Sequence, residues 1–189
     1  MTILLRILNC IKRWLVWLSR IHCCRGFGIQ SPTDYAFVRY VVNEHWPYYA
    51  YEELTDKDPI RQKLGRLYFR LANWRQPGTI AATDYKDYWY AGCKNMLFVE
   101  VPSLYKNPFE PLKVDMALIT IEEYPLFVQL KMKNCHQKSV VVIEGIWRNW
   151  PQWRVIERDP EVGTTFDLYY CGIVLFDTDR YKHHYKINF

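Results

Sequence analysis

Short apolar runs that alternate with segments of helical period fill the second half of the chain, and they constrain the fold more than any other feature. The runs are continuous rather than alternating in polarity, as in strands buried on both faces of a sheet. They lie at 79–83, 96–101, 114–121 and 140–143. Helical segments at 84–91, 124–134 and 149–158 separate or follow them. This alternation predicts a mostly parallel sheet in an α/β domain of three layers, with helices on both faces.

The pattern changes near the carboxyl terminus, where two apolar runs follow each other without a helix between them. They lie at 164–170 and 173–177, and they meet near Cys171 and Gly172. This spacing predicts an antiparallel hairpin that closes the sheet, with 185–189 as a last edge strand.

The first 77 residues are predicted to be helical. The dipeptides Ser31-Pro32 and Asp58-Pro59 each place an N-cap residue before a proline in the first helical turn. They predict helices that end near His45 and near Pro77. Residues 1–25 therefore form an arm, 26–77 a helical extension that packs on the core, and 78–189 the α/β domain.

The net charge of +5 is unevenly distributed along the chain. Five basic residues lie in the arm, and the first acid is Asp34, so the other basic and acidic residues cancel. The arm therefore carries the positive field of an otherwise neutral body. A body that binds nucleic acid would carry a basic stripe of its own, so nucleic acid is not an expected partner.

The arm itself has the pattern of an amphipathic helix over 3–21. Its polar arc holds Arg6, Asn9, Lys12, Arg13, Ser19 and Arg20, with Leu5 and Val16 as exceptions, and most of the other side chains are apolar. Its longest stretch without a charge, 14–19, is too short to cross a bilayer. Two alternatives remain open. The apolar face packs on the domain or on a second copy, as in a homo-oligomer, or the helix lies in a membrane interface with its cations on anionic lipid.

Six cysteines are scattered along the chain without any pair spaced as in a CxxC motif. Charges interrupt the apolar arm, so it does not read as a secretory signal, and the expected location is cytoplasmic, or peripheral at the inner face of the membrane. Neither His22-Cys23-Cys24 nor His183-His184 has the spacing of a tetrahedral metal site, and no metal is expected.

Several stretches together resemble one known family. The run GFGIQSP at 26–32 is similar to the GFGIHSP signature of a bacterial family of uncharacterised class I S-adenosylmethionine-dependent methyltransferase-like proteins. Further likeness lies at 47–51, 67–73, 167–176 and 184–187. The resemblance covers both ends of the chain well and the middle poorly. It implies a Rossmann-like domain that binds S-adenosylmethionine.

The chain departs from this family where the cofactor would bind. The family's first strand leads into a loop resembling ELGTSLG, in which glycine lets the backbone approach the cofactor. The matching residues here are 81–87, where Tyr85 and Lys86 replace bare backbone. Two later strands of the family end in acidic motifs resembling FIDG and FDDIH. Here they end in Glu122 and in Glu144-Gly145, so that only Glu144 is left for a metal or a base.

The middle of the chain is also too short for a complete domain of this family. About thirty residues separate the first strand from Val114, enough for one crossover and one strand, so that one strand–helix unit is missing. Glu100, after the second strand, is then either a ribose-binding acid or an exposed rim carboxylate.

Trp147, Trp150 and Trp153 follow the fourth run of the parallel series, at the edge where α/β sheets bind ligands. With Tyr85, Trp147 and Trp150 are the predicted lining of the pocket. They either stack a planar ligand or fill the space that a cofactor would occupy, and the second alternative is favoured.

Three functions follow from these observations. The first is a degenerate methyltransferase-like scaffold without a cofactor, which binds an unknown protein or a membrane through residues 1–25. The second is an active S-adenosylmethionine-dependent methyltransferase for a small molecule, with Asp84, Glu100 and Glu144 in a remodelled cofactor site and catalytic residues not assigned. The third, weaker one is an RNA-binding module formed by the arm and the tryptophans, whose affinity would fall steeply with salt.

Overall fold

Seven strands form one mixed sheet in the computed structural model, which describes residues 3–105, 112–179 and 181–189. The strands are β1 (Thr79–Ala81), β2 (Leu97–Val99), β3 (Met116–Thr120), β4 (Val140–Glu144), β5 (Thr164–Asp167), β6 (Cys171–Leu175) and β7 (His183–Lys186). Their order is β2-β1-β3-β4-β6-β5-β7. The first four strands are mutually parallel, β6 is antiparallel to β4 and β5, and β7 is parallel to β5. The predicted α/β sheet and its antiparallel hairpin are confirmed.

Seven α-helices accompany the sheet in the described part of the chain. They are α1 (Ile3–Ser19), α2 (Pro32–Phe37), α3 (Ala50–Glu53), α4 (Pro59–Arg75), α5 (Lys86–Gly92), α6 (Tyr124–Lys133) and α7 (Trp150–Arg158). Ser31 and Asp58 cap α2 and α4 through their side chains, as their sequence position predicts. These layers are compatible with a Rossmann-like arrangement.

Alternate residues of the buried strands supply two separate cores. Met116 and Leu118 of β3 face a core formed with α4 and α5. Ala117 and Ile119 face the opposite core, formed with α6 and α7. Because both faces of β3 are covered, its sequence is continuously apolar rather than alternating. The predicted three-layer arrangement is confirmed.

Only one α-helix and one strand, α5 and β2, lie between β1 and β3 in the described residues. The chain passes from β1 outwards to β2 and then returns to the other side of β1 as β3. One crossover and one strand are described here, as the spacing predicts. Strand β2 is a three-residue edge strand, and the reversal of strand order lies between β1 and β3.

Two boundaries differ from the sequence prediction. The hairpin turns at 168–170, so that Cys171 and Gly172 belong to β6 instead of the turn. The last strand is β7 at His183–Lys186, and 187–189 lie beyond it. Apolar residues continue past the last hydrogen-bonded residue of these strands. The apolar run in the sequence is therefore longer than the strand that forms.

The helix predicted from Ser31 to His45 is also shorter than expected. After α2 the chain continues as a π-helical turn, Val38–Val42. The guanidinium of Arg70, which is buried, donates from Nε to the carbonyl of Val41 at 2.6 Å and from Nη2 to that of Val42 at 2.9 Å. Arg70 thus satisfies carbonyls that a continuing helix would have used, and the helix ends there.

A buried ion pair holds α1 to the carboxyl-terminal strands. Arg20 follows α1, and its Nη1 lies 2.9 Å from Oδ1 of Asp167 at the end of β5, with both side chains less than 10% exposed. The same guanidinium donates to the carbonyl of Asp167 at 2.9 Å. The Asn188 amide donates to the carbonyl of Trp17 at 3.1 Å. The carboxyl-terminal end of the arm is therefore fixed to the domain by specific contacts.

The apolar face of α1 points away from the body. Its side chains between Leu8 and Leu18 are 41–61% exposed, and they are Leu8, Ile11, Trp14, Leu15, Trp17 and Leu18. The described part of the chain's own domain therefore leaves these side chains largely uncovered. Arg20, which follows α1, pairs with Asp167, and Lys12 lies over Trp147, so the side of the helix that carries these two cations contacts the body. Among the described helices, none combines the length and apolarity of a membrane span.

Arg20→Met is expected to destabilise the fold by about 3–5 kcal/mol, because it leaves the carboxylate of Asp167 buried without its cation. Replacing both partners, as Arg20→Met with Asp167→Leu, should recover most of that loss. Urea unfolding of the three proteins measures the difference.

Arg148→Met is the matched control. Arg148 pairs with Glu122 at 3.3 Å, with more than half of each side chain exposed, so its loss should cost less than about 1 kcal/mol. Equal losses for the two single variants would contradict the structural role assigned to Arg20.

Candidate functional site

The carboxyl ends of β1 and β3 flank the point where strand order reverses. In open α/β sheets this crevice is the usual ligand site, because the loops diverge there. Two of the three predicted cofactor acids are close to it. Asp84 follows β1, and Glu144 is the last residue of β4. They are near enough for the charge of Asp84 to raise the pKa of Glu144.

The side chain of Tyr85 lies in this crevice, near Glu144 at the end of β4, and its hydroxyl acts to lower the pKa of that carboxyl group. Tyr85 is only 6% exposed. Its backbone is left-handed, with φ 59° and ψ 28°, a conformation natural to glycine and costly for tyrosine. The Oδ1 atom of Asp84 accepts a hydrogen bond from the Tyr85 N–H at 2.7 Å and supports the turn.

Tyr68 of α4 completes the filling of the crevice. Its ring lies edge-on to that of Tyr85, with centroids 4.8 Å apart, and stacks on Trp89 at 5.0 Å. Its hydroxyl donates to Oε1 of Glu144 at 2.5 Å. Tyr68 is fully buried. Three aromatic rings and one carboxylate thus occupy the space next to the β1–β3 reversal.

The two acids have opposite electrostatic environments. Burial raises the pKa of Glu144, although hydrogen bonds from Tyr68 and Tyr85 act against that rise. Arg61 lowers the pKa of Asp84 through a bidentate contact in which Nη2 lies 2.7 Å from Oδ1. The guanidinium of Arg61 also lies 4.4 Å from the centre of the Tyr85 ring. Arg61 therefore covers Tyr85 from the solvent side.

Glu100 is not part of this cluster. It is exposed, it follows the edge strand β2, and its side chain makes no hydrogen bond or ion pair with any residue that the structure describes. The structure therefore brings Asp84 and Glu144 together but leaves Glu100 on the rim.

Trp147 and Trp150 contact the arm rather than the crevice. Trp147 stacks on Tyr169 at 6.2 Å, and the ammonium of Lys12 lies 3.8 Å from its ring centre. Trp150 meets Tyr169 edge-on at 6.1 Å. The guanidinium of Arg20 lies 5.3 Å from the Tyr169 ring. These rings therefore form a cation–π platform for the polar arc of α1.

Trp153 was grouped with those tryptophans by sequence, and that grouping is wrong. It is fully buried in the core with α7, against Gly172 of β6, where even a methyl group would collide with its ring.

The paired histidines lie on the edge strand β7 and are exposed, as their position suggested. The Nδ1 atom of His184 is 2.8 Å from the Thr165 hydroxyl. Within the described parts of the chain, no three His, Cys, Asp or Glu side chains are close enough together to hold a metal ion.

No protein-family profile, curated protein or solved structure matches this chain. The resemblance to methyltransferase-like proteins therefore stays a prediction from the sequence motifs. The sequence did not single out Tyr68 and Arg61. The motif at 67–73 contained Tyr68, but nothing in it indicated that its hydroxyl would face Glu144.

Glu144→Gln is expected to stabilise the fold relative to wild type, by a margin that grows as the pH rises from 4.5, the ordinary pKa of glutamate. With a pKa raised in the folded state, the carboxyl group contributes stability below its ordinary pKa and loses it as pH rises through the raised value. The amide stays neutral throughout and has no such loss. Urea unfolding at several pH values between roughly pH 4 and pH 8 measures the margin.

Glu53→Gln, on the exposed helix α3, is the reference for nonspecific effects of removing a carboxylate. A margin for Glu144→Gln that shrinks with rising pH, relative to this reference, would mean that the carboxylate is stabilised by its surroundings rather than strained.

Proposed function

We propose that this chain is a methyltransferase-like scaffold that has lost its cofactor and attaches to a membrane surface through the outward face of α1. The orientation of α1 carries the proposal. Lys12 and Arg20 engage the body, at Trp147 and at Asp167, and six apolar side chains face out. A helix held by its polar side presents its apolar side to whatever lies beyond it.

The width of the exposed face favours lipid over a second copy of the chain. On a helical wheel the outward apolar residues, from Trp17 round to Leu8, span about half of the circumference. A two-helix seam uses a narrower stripe, whereas helices that lie in a membrane interface have such wide apolar faces. Trp14 and Trp17 lie towards one margin of this face, with ring centroids 6.0 Å apart, and tryptophan favours the headgroup zone.

The structure changes what the cations of the arm would do. The sequence suggested that the polar arc meets anionic lipid, but Arg20 is buried against Asp167 and Lys12 lies on Trp147. Arg13 and Arg25 remain exposed. The attachment is therefore mainly apolar, with a smaller contribution from the exposed cations among the described side chains of the arm.

Leu15→Glu combined with Leu18→Glu is expected to lower partitioning into vesicles by about two orders of magnitude, because each leucine contributes about 1.5–3 kcal/mol when it leaves water. Sedimentation with vesicles of phosphatidylcholine and phosphatidylglycerol measures this. Binding of the wild type should survive high salt, since apolar contacts are not screened.

Met132→Glu combined with Val155→Glu removes exposed apolar residues of α6 and α7 and is the matched control. Vesicle binding equal to wild type in the Leu15/Leu18 variant would overturn the proposal. A wild-type dimer that this variant dissociates, without any vesicle binding, would assign the face to a second copy instead.

The loss of cofactor binding is supported by Tyr85, Tyr68 and Glu144, which fill the crevice that a cofactor would enter. Calorimetric titration with S-adenosylmethionine and S-adenosylhomocysteine is expected to give no heat at millimolar ligand. Micromolar binding would contradict this part of the proposal and favour the alternative that the chain is an active methyltransferase. Alanine at Asp84, Glu100 and Glu144 should then abolish turnover.

A further inference from the structure

A groove of about 340 Å³ separates α1 from α4, on the flank of α1 that lies next to the body. Its volume lies at the lower end of the range for ligand pockets, roughly 300–1,000 Å³. Its walls are mostly apolar, and they include Trp14, Val16 and Trp17 of α1 and Ile60 and Leu64 of α4. An alkyl chain fits a lining of this kind better than a polar ligand does.

Two cations, Arg13 and Lys63, also line the groove, and none of its lining residues is acidic. Neither cation forms a salt bridge within the described residues. The pKa of Lys63 is lowered to about 8, because surrounding protein atoms desolvate its ammonium and because Arg13 and Arg70 repel it. An anion beside these cations would relieve that repulsion.

Lys63 also marks the junction between the groove and a second cavity. Lys63 and Phe189 line both spaces, and the ammonium lies 4.4 Å from the Phe189 ring centre. The second cavity has mixed charge, with Glu44 and Glu52 as well as Arg66 and Arg70 in its lining. The Nε atom of Arg66 is buried and has no hydrogen-bond partner in the described part of the structure. An apolar channel therefore meets a polar space at Lys63.

We infer that the groove binds a single-chain anionic amphiphile, a fatty acid or a monoalkyl phosphate, whose chain lies between α1 and α4 and whose anion pairs with Lys63 and Arg13. The apolar walls accommodate the chain and the two unpaired cations select the sign of the head. Trp14 and Trp17 belong both to this groove and to the outward face of α1, but Leu15 and Leu18 do not line the groove, so the two kinds of binding can be tested separately.

Calorimetry with dodecyl phosphate, below the concentration at which it forms micelles, tests the inference. One molecule should bind per chain. Lys63→Gln should weaken binding about tenfold, as the loss of one charge-assisted contact implies. Lys133→Gln, an exposed lysine at the end of α6, should leave it within about twofold. Ile60→Trp, which fills the groove, should abolish binding while circular dichroism shows the fold intact.

Two further ligands measure separately how the charged head and the alkyl chain contribute to binding. Dodecyltrimethylammonium has the same chain and the opposite charge, and it should not bind. Inorganic phosphate alone should bind at least tenfold more weakly than dodecyl phosphate, since it lacks the chain. Equal binding of both alkyl ligands, equal binding of phosphate, or equal effects of Lys63→Gln and Lys133→Gln would each overturn the inference.

The variant with Leu15→Glu and Leu18→Glu distinguishes this site from membrane attachment. It should lose vesicle binding and keep the affinity of wild type for dodecyl phosphate. Loss of vesicle binding and of dodecyl phosphate binding together would show that only nonspecific adsorption to the outward face of α1 had been measured. That result would overturn the proposed binding site in the groove.

Discussion

The buried pair between Arg20 and Asp167 determines how the amino-terminal helix is presented. Desolvation of two charges is costly, and this pair is compensated by hydrogen bonds to the carbonyl of Asp167 and from the Tyr169 N–H. Because Arg20 directly follows α1, its burial holds the adjoining side of the helix against the body. The outward apolar face and the groove beside α4 both follow from this one contact.

The crevice at the β1–β3 reversal shows a different balance of energies. Tyr85 has an unfavourable left-handed backbone, yet its ring is buried against Tyr68 and beneath Arg61. Burial of an aromatic side chain contributes about 1.5–3 kcal/mol, more than the roughly 1–2 kcal/mol that the left-handed conformation costs. The strain is therefore tolerated because the ring fills space. A glycine here would remove the strain but would leave a cavity.

The sheet could be predicted because its signals are local: continuous apolar runs for β3 and β4, and capping residues such as Ser31 and Asp58 for the helices. Which side of α1 faces the domain could not be predicted, because it depends on a contact between Arg20 and Asp167, which lie far apart in the sequence. In the candidate site, Asp84, Tyr85 and Glu144 were indicated by the resemblance to the methyltransferase-like family, whereas the contact of Tyr68 with Glu144 depends on how α4 lies over the sheet. The early end of α2 likewise depends on Arg70, a residue of another helix.

The separation of Arg20 from Asp167 has a consequence for the order of folding. The arm is synthesised before its anchor, which exists only after β5 has left the ribosome. Until then α1 has no contact with Asp167, and its apolar face is exposed to its surroundings. The arm is therefore made early and is among the last elements of the described chain to be fixed in place.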